Sequence, residues 1–345
     1  MNNEIKNICT IPSSKGFIEN PGWARCEYMK YKRENIKAPW FRKKEWDYYL
    51  FTNDKVGVAF TISDLGYVGL LSVSFLDFEK GWEITDSEIA VLPLGKAFGL
   101  GTSTSDPHGQ CHTKRLDLVF ERRGHHRHIS CSFRNFGKDK QLFTAELSVY
   151  EPDMEAMYIA TPWKEKPTAF YYNCKMNCLE AKGLVVLGQR VCSFTRTDTL
   201  GVLDWGRGVW TYDNTWYWGT GSGRVNGEAF GFNLGYGFSD RSSASENAIY
   251  YQGKIHKLDQ VTFHIPIQNG QKQYTSPWMI TSNDNRFKGE FVPILDRSAC
   301  MNFGVIVSDQ HQVFGRMNAR VQLDNGDTLE INDFICALEI VRNKY

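Results

Sequence analysis

An all-β chain of two antiparallel barrels or sandwiches is what this sequence predicts, on three observations. Short β-branched and aromatic runs recur along it, turn residues separate them, and no segment holds a helical period for the length of an ordinary helix. The runs are Tyr48 to Thr52, Val56 to Ile62, Leu70 to Phe75, Leu116 to Phe120, Ile129 to Phe133 and Phe143 to Val149. Between such runs fall Asn53-Asp54, Arg123-Gly124, Asn269-Gly270 and Asn325-Gly326, pairs that tolerate positive φ and so close tight hairpins. Glycine is frequent (30 of 345) and proline scarce (11), which fits many turns and no disordered linker. Helices should be few and short, with Ser87 to Leu92 and Tyr150 to Ala160 as the candidates and Pro152 interrupting the second.

A chain of 345 residues exceeds the usual size of one domain, and closed barrels remove the unpaired edges that one large open sheet would expose. The composition turns at Ser193 to Leu200, where a polar stretch precedes glycine- and tryptophan-rich sequence, so the expected units are residues 1–195 and 196–345. Forty Lys and Arg against 39 Asp and Glu leave no field to hold a polyanion, which disfavours nucleic acid as a partner. Met1 to Ile11 lacks the apolar core of a signal peptide, and no run has the ~20 apolar residues of a membrane span. The expectation is a soluble cytoplasmic protein. Nine scattered cysteines read as reduced thiols; Cys174 and Cys178 form a C-x3-C pair without the further ligands a zinc site needs, so no metal is expected.

The densest feature is Gly201 to Trp210, which contains Asp204, Trp205, Arg207 and Trp210 and is followed by Trp216 and Trp218. Indoles give apolar walls, and a charged pair among them sits where proton affinities shift strongly. The same residues could equally be a structural ion pair in an aromatic core. A second segment, Gly231 to Asp240, places glycines between Asn233 and Tyr236, and Glu246 and Asn247 follow; they face a ligand space or finish a turn before Ala248 to Tyr251. His125, His126 and His128 lie in a basic hairpin turn, and His108 and His112 in a polar loop; exposure explains both groups. Phosphate-binding loops, H-E-x-x-H and the G-x-S-x-G elbow are absent from the sequence, so nucleotide and zinc-hydrolase chemistry lose ground and no cofactor is called for.

Asn20 to Arg25, Phe170 to Asn177, Asp204 to Trp210, Ser245 to Ala248 and Gly253 to Leu258 together resemble the bacterial domain-of-unknown-function family 2804 (DUF2804), almost end to end. That family is distantly similar to the two-domain lipocalin-like group of carotenoid 1,2-hydratase and tocopherol cyclase. The resemblance implies two tandem lipocalin-like (calycin-like) barrels holding an apolar ligand in or between them, and chemistry that starts with protonation of a π-system by a buried acid, with neither metal nor nucleotide. Two positions depart from the family pattern: Ala319 stands where glycine is expected and Tyr345 where tryptophan is expected.

These readings converge on an acid–base lyase, hydratase or isomerase for a mostly apolar or aromatic small molecule. Asp204 is the expected proton donor, and Glu246 takes that role if Arg207 pairs with Asp204. Asn233 and Asn247 are expected to hold a substrate oxygen, with Trp205, Trp210, Trp216, Trp218 and Tyr236 as walls. The rivals are a non-enzymatic carrier of an apolar ligand and a carbohydrate-binding or lytic protein, since indoles also stack on sugars.

Overall fold

The computed structural model describes residues 3–105, 108–151, 153–302, 304 and 307–344; Pro152 and Tyr345 lie outside them. Two large antiparallel sheets dominate. The central path of the first runs, neighbour to neighbour, through Trp82–Val91, Val68–Asp77, Val56–Asp64, Lys43–Thr52, Leu200–Val209, Lys166–Leu187, Gln141–Tyr150, His126–Phe136, Leu116–Arg123 and Gly109–His112. The second runs through Lys254–Lys257, Ala248–Tyr251, Glu228–Tyr236, Asp213–Val225, Thr328–Lys344, Val307–Gln322, Phe287–Asn302, Trp278–Ser282 and Val261–His264. Sheet membership changes between Val209 and Asp213.

All six runs expected as strands are strands; residues alternate between the barrel interior and the opposite face, and in Tyr48 to Thr52 both faces are apolar and buried, Tyr49 and Phe51 inside the barrel and Tyr48 and Leu50 against the other one. The four turn pairs sit between paired strands, with Gly124, Gly270 and Gly326 at positive φ. Asn53 closes its turn by accepting the N–H groups of Lys55 and Val56 on its side-chain oxygen. Among the described residues, helix is confined to the short 3-10 turns Arg33–Asn35 and Trp40–Arg42. Both helix candidates are overturned. Ser87 lies in the Trp82–Val91 strand, its hydroxyl 3.0 Å from that of Ser72 across the pair, and the second candidate ends in the strand Met157–Trp163. In each, cross-strand pairing outweighs a weak local helical period.

Each sheet curls around its own core. Phe51, Phe60, Phe75, Leu118, Phe133, Leu147, Tyr172 and Trp205 fill the first, and Phe232, Phe263, Trp278, Phe291, Met317 and Leu338 the second. A third cluster lies between the barrels, where Tyr48, Leu50, Leu76 and Val202 of the first meet Trp218, Leu295, Phe314 and Ile335 of the second. The barrels therefore pack back to back through outward-facing residues. A bulge between Met176 and Leu179 aids the docking: Asn177 Nδ2 donates to the Gly221 and Phe232 carbonyls (3.1 and 3.0 Å), and the Cys178 N–H donates to Ser222 Oγ. Ala319, the departure from the family's glycine, is tolerated because it faces Gly289, where an added Cβ would come within 2.8 Å of the Ala319 methyl.

All nine cysteines are free thiols. Burial raises the proton affinity of Cys111, Cys131, Cys174, Cys178 and Cys336, whereas Cys26 and Cys300 are exposed. Iodoacetamide should therefore label Cys26 and Cys300 first on the native protein and reach those five only on unfolding, as peptide mass spectrometry would read. Early labelling of Cys174 or Cys178 would contradict the packing described here.

Candidate functional site

In the Leu200–Val209 strand, side chains alternate between the interior of the first barrel and the seam between barrels. Leu203, Trp205, Arg207 and Val209 point inward; Val202 and Asp204 point outward. Three residues apart is an odd spacing, so Asp204 and Arg207 emerge on opposite faces and the expected couple does not form. Arg207 instead pairs with Asp47 at 2.9 Å, both fully buried, and donates to the carbonyls of Trp46, Gly206 and Gly101. Its guanidinium carbon lies 4.0 Å from the Trp205 ring centroid. Burial raises the Asp47 pKa, and Arg207 opposes that rise.

Asp204 has other partners. Register sets it between Lys175 on one side and Tyr48 on the other. Its Oδ1 accepts from Asn173 Nδ2 at 2.6 Å and lies 3.0 Å from Lys175 Nζ. Oδ2 has no partner among the described residues, and the side chain keeps 14% exposure in an otherwise buried setting. Lys175 Nζ also lies 3.8 Å from Glu246 Oε2 and 4.8 Å from the Trp218 ring.

Glu246 comes from the segment after Glu228–Tyr236. It is 3% exposed and accepts the Tyr171 O–H at 2.9 Å. Gly235 makes room for it, since a Cβ there would stand 1.6 Å from Oε1. Burial pushes the Glu246 carboxyl above its ordinary range and the Asp204 charge pushes it further, while Lys175 and Tyr171 pull back. A third carboxyl, Glu339, is also raised by burial; it accepts from Trp216 Nε1 at 2.9 Å and from Gln310 and Gln312 at 3.1 and 2.8 Å.

The aromatic wall is partly the expected one. Trp210 packs against Trp46, Trp163, Tyr171, Trp216 and Phe238, and its buried Nε1 has no hydrogen-bond partner among the described residues. Trp218 donates to Asn233 Oδ1 (2.8 Å), and Asn233 Nδ2 donates to the Glu246 carbonyl. Asn247 bridges backbone, accepting from Gly235 and donating to the Asp259 carbonyl. Trp205 belongs to the first barrel's interior, edge-on to Tyr31 and Tyr172, and Tyr236 to the second's, stacked on Tyr217 at 4.5 Å. The seam thus unites Asp204, Glu246, Trp210, Trp216, Trp218 and Asn233, ties Asn247 into the loop behind them, and leaves Trp205, Arg207 and Tyr236 elsewhere.

Sequence reasoning missed Tyr171, Asn173, Lys175 and Glu339. A signal existed for each. Tyr171, Asn173, Lys175 and Asn177 alternate with apolar residues, as one polar strand face does, and Glu339 is the lone charge in Phe334 to Val341. Gly206 faces Trp46 closely, so Gly206→Ala would place a methyl 2.1 Å from the indole; the expected cost is about 1–3 kcal/mol, read by urea unfolding. An unchanged midpoint would mean that the indole moves freely. A cavity of about 420 Å3 opens elsewhere, against Arg127, Glu151, Tyr158 and Met176 of the first barrel.

Two back-to-back antiparallel barrels define a lipocalin-like fold. The chain belongs to the domain of unknown function family DUF2804, whose profile matches residues 2–345. A comparison with curated proteins gives no match. Among solved structures, an AttH-like protein from Nitrosomonas europaea superposes with TM-score 0.53 at 13% identity, covering 89% of this chain and 95% of that one. Kievitone hydratase from Nectria haematococca superposes with TM-score 0.53 at 8% identity, covering 88% of each. At such identities the likeness concerns the fold alone.

Proposed function

We propose that this protein is an acid–base enzyme of the hydratase, lyase or isomerase kind, acting on a small, mostly apolar or aromatic molecule at the seam between its barrels. The carrying observation is the unequal sharing of Lys175, which stands 3.0 Å from Asp204 and 3.8 Å from Glu246. Two carboxyls whose surroundings differ in this way divide into an acid and a base. Glu246, buried and raised, is the proton donor. Asp204, through its unpartnered Oδ2, takes a proton from water or substrate.

In the hydration direction Glu246 gives its proton to one carbon of a polarised double bond, and the cation develops beside Trp216 and Trp218. Water adds to the other carbon and loses a proton to Asp204. The net change is H and OH across the bond, and a proton passed from Asp204 to Glu246 past Lys175 resets the pair; dehydration is the reverse. Likeness in fold to a hydratase agrees with this reading by analogy only.

The test begins with native mass spectrometry of small molecules that co-purify with the protein. Incubation should convert the bound species by 18 mass units or to an isomer of changed retention. A ligand returned unaltered by the wild type would mean a carrier.

A further inference from the structure

The second barrel holds another group of reactive side chains, which the seam does not use. One row crosses its sheet: Tyr236 pairs with Tyr217, Tyr217 with Ile340, Ile340 with His311, and His311 with Ser298. The row faces the barrel interior, because His311 continues the face of Val313, Met317 and Val321, all in that core. Tyr217 and His311 stand two strands apart, roughly 10 Å at the usual strand spacing, with Ile340 as the floor between them.

His311 is held on two sides. Its Nδ1 lies 2.7 Å from Asp296 Oδ2, and its ring stacks on Tyr274 at 3.8 Å and 19°. His311 and Asp296 keep 22% and 17% exposure. Nε2 makes no hydrogen bond among the described residues; the nearest carboxylate oxygen, on Asp309, is 3.8 Å away. Opposite, Lys272 donates to the Tyr217 hydroxyl at 2.7 Å and has no carboxylate partner among the described residues. Asp296 Oδ1 is buried and also unpartnered, a cost that a bound donor removes.

The geometry points to a second site here, which binds a hydroxylated aromatic ring, a phenol, between Tyr217 and His311 and takes up its hydroxyl proton. Three features select this class. Tyr217, stacked on Tyr236 at 2° and with Lys272 Nζ 4.7 Å from its ring centroid, offers an aromatic wall, His311 Nε2 is an acceptor aimed by Asp296, and Lys272 is a cation without a carboxylate partner among the described residues. On ionisation the phenol O–H bond breaks and an N–H bond forms at Nε2. The imidazolium is held by Asp296 through Nδ1–H and the phenolate by Lys272. A purely structural Asp–His pair explains neither the open Nε2 nor the unmatched lysine.

The probe is 4-nitrophenol, whose phenolate absorbs visibly, titrated with the full chain at a pH where the free probe is mostly protonated. The phenolate band should rise saturably at one equivalent, His311→Gln and Lys272→Met should each weaken the response about tenfold or more, and nitrobenzene should not compete. Lys272 is the half-buried end of an otherwise exposed hairpin, so its variant decides the matter if His311→Gln melts early. Equal titrations in wild type and Lys272→Met would overturn the proposal. Loss in Glu246→Gln with His311→Gln unaffected would place the phenol in the seam and also overturn it; the seam enzyme can fail without touching this result.

Discussion

Arg207→Met is expected to lower the free energy of unfolding by about 3–5 kcal/mol, the loss usual when one member of a buried ion pair is removed and the other stays charged. The partner left behind is Asp47, fully buried, whose only side-chain hydrogen bond among the described residues comes from Arg207. Three backbone carbonyls would also lose a donor, among them Gly101 in the stretch that follows Trp82–Val91. Urea unfolding at pH 7 measures the loss, and Asp47→Asn combined with Arg207→Met should recover part of it. A loss under about 1 kcal/mol would mean that the pair is hydrated and the fold does not lean on it.

Glu246→Gln is expected to reduce turnover of the co-purifying ligand by about 10^2–10^4-fold, the range for a positioned general acid, while leaving the ligand bound. Asp204→Asn should also abolish turnover, yet it removes the partner of Lys175 and so should cost more stability. Variants that unfold, or that turn over normally, would exclude these residues from the chemistry. The Glu246 variant has a second signature. A carboxyl raised on folding contributes stability that is fully present below its unfolded value near 4.5 and lost as pH rises through the folded value. Glutamine carries no such dependence, so the melting temperature of Glu246→Gln should climb relative to wild type between pH 4 and 8, by about 2–4 °C per kcal/mol relieved. A difference constant across that range would mean that Glu246 is as acidic in the fold as in the open chain.

Strands were legible in the sequence because period-two patterns are local: Val56 to Ile62 or Phe143 to Val149 declares its face without reference to the rest of the chain. Ser87 to Leu92 was misread because edge-strand residues have one covered face and few apolar anchors. The seam was half legible. Asp204 and Glu246 stood out beside glycines and indoles, and the odd spacing of Asp204 from Arg207 already placed them on opposite faces once the segment was read as a strand. Lys175 and Glu339 were not found because their proximity to Asp204 comes from register and from the docking of two barrels. Tyr236 lies on the other wall for a local reason: the alternation that turns Gly235 toward Glu246 turns Tyr236 away from it.

Asp204 and Lys175 arrive on one barrel, Glu246 and Glu339 on the other. Neither half of the gene, expressed by itself, would carry the whole set, and each would present charges and indoles to water that belong against its mate. On the proposed reading activity depends on docking, and mixing separately produced halves should restore it only to the degree that they reassociate.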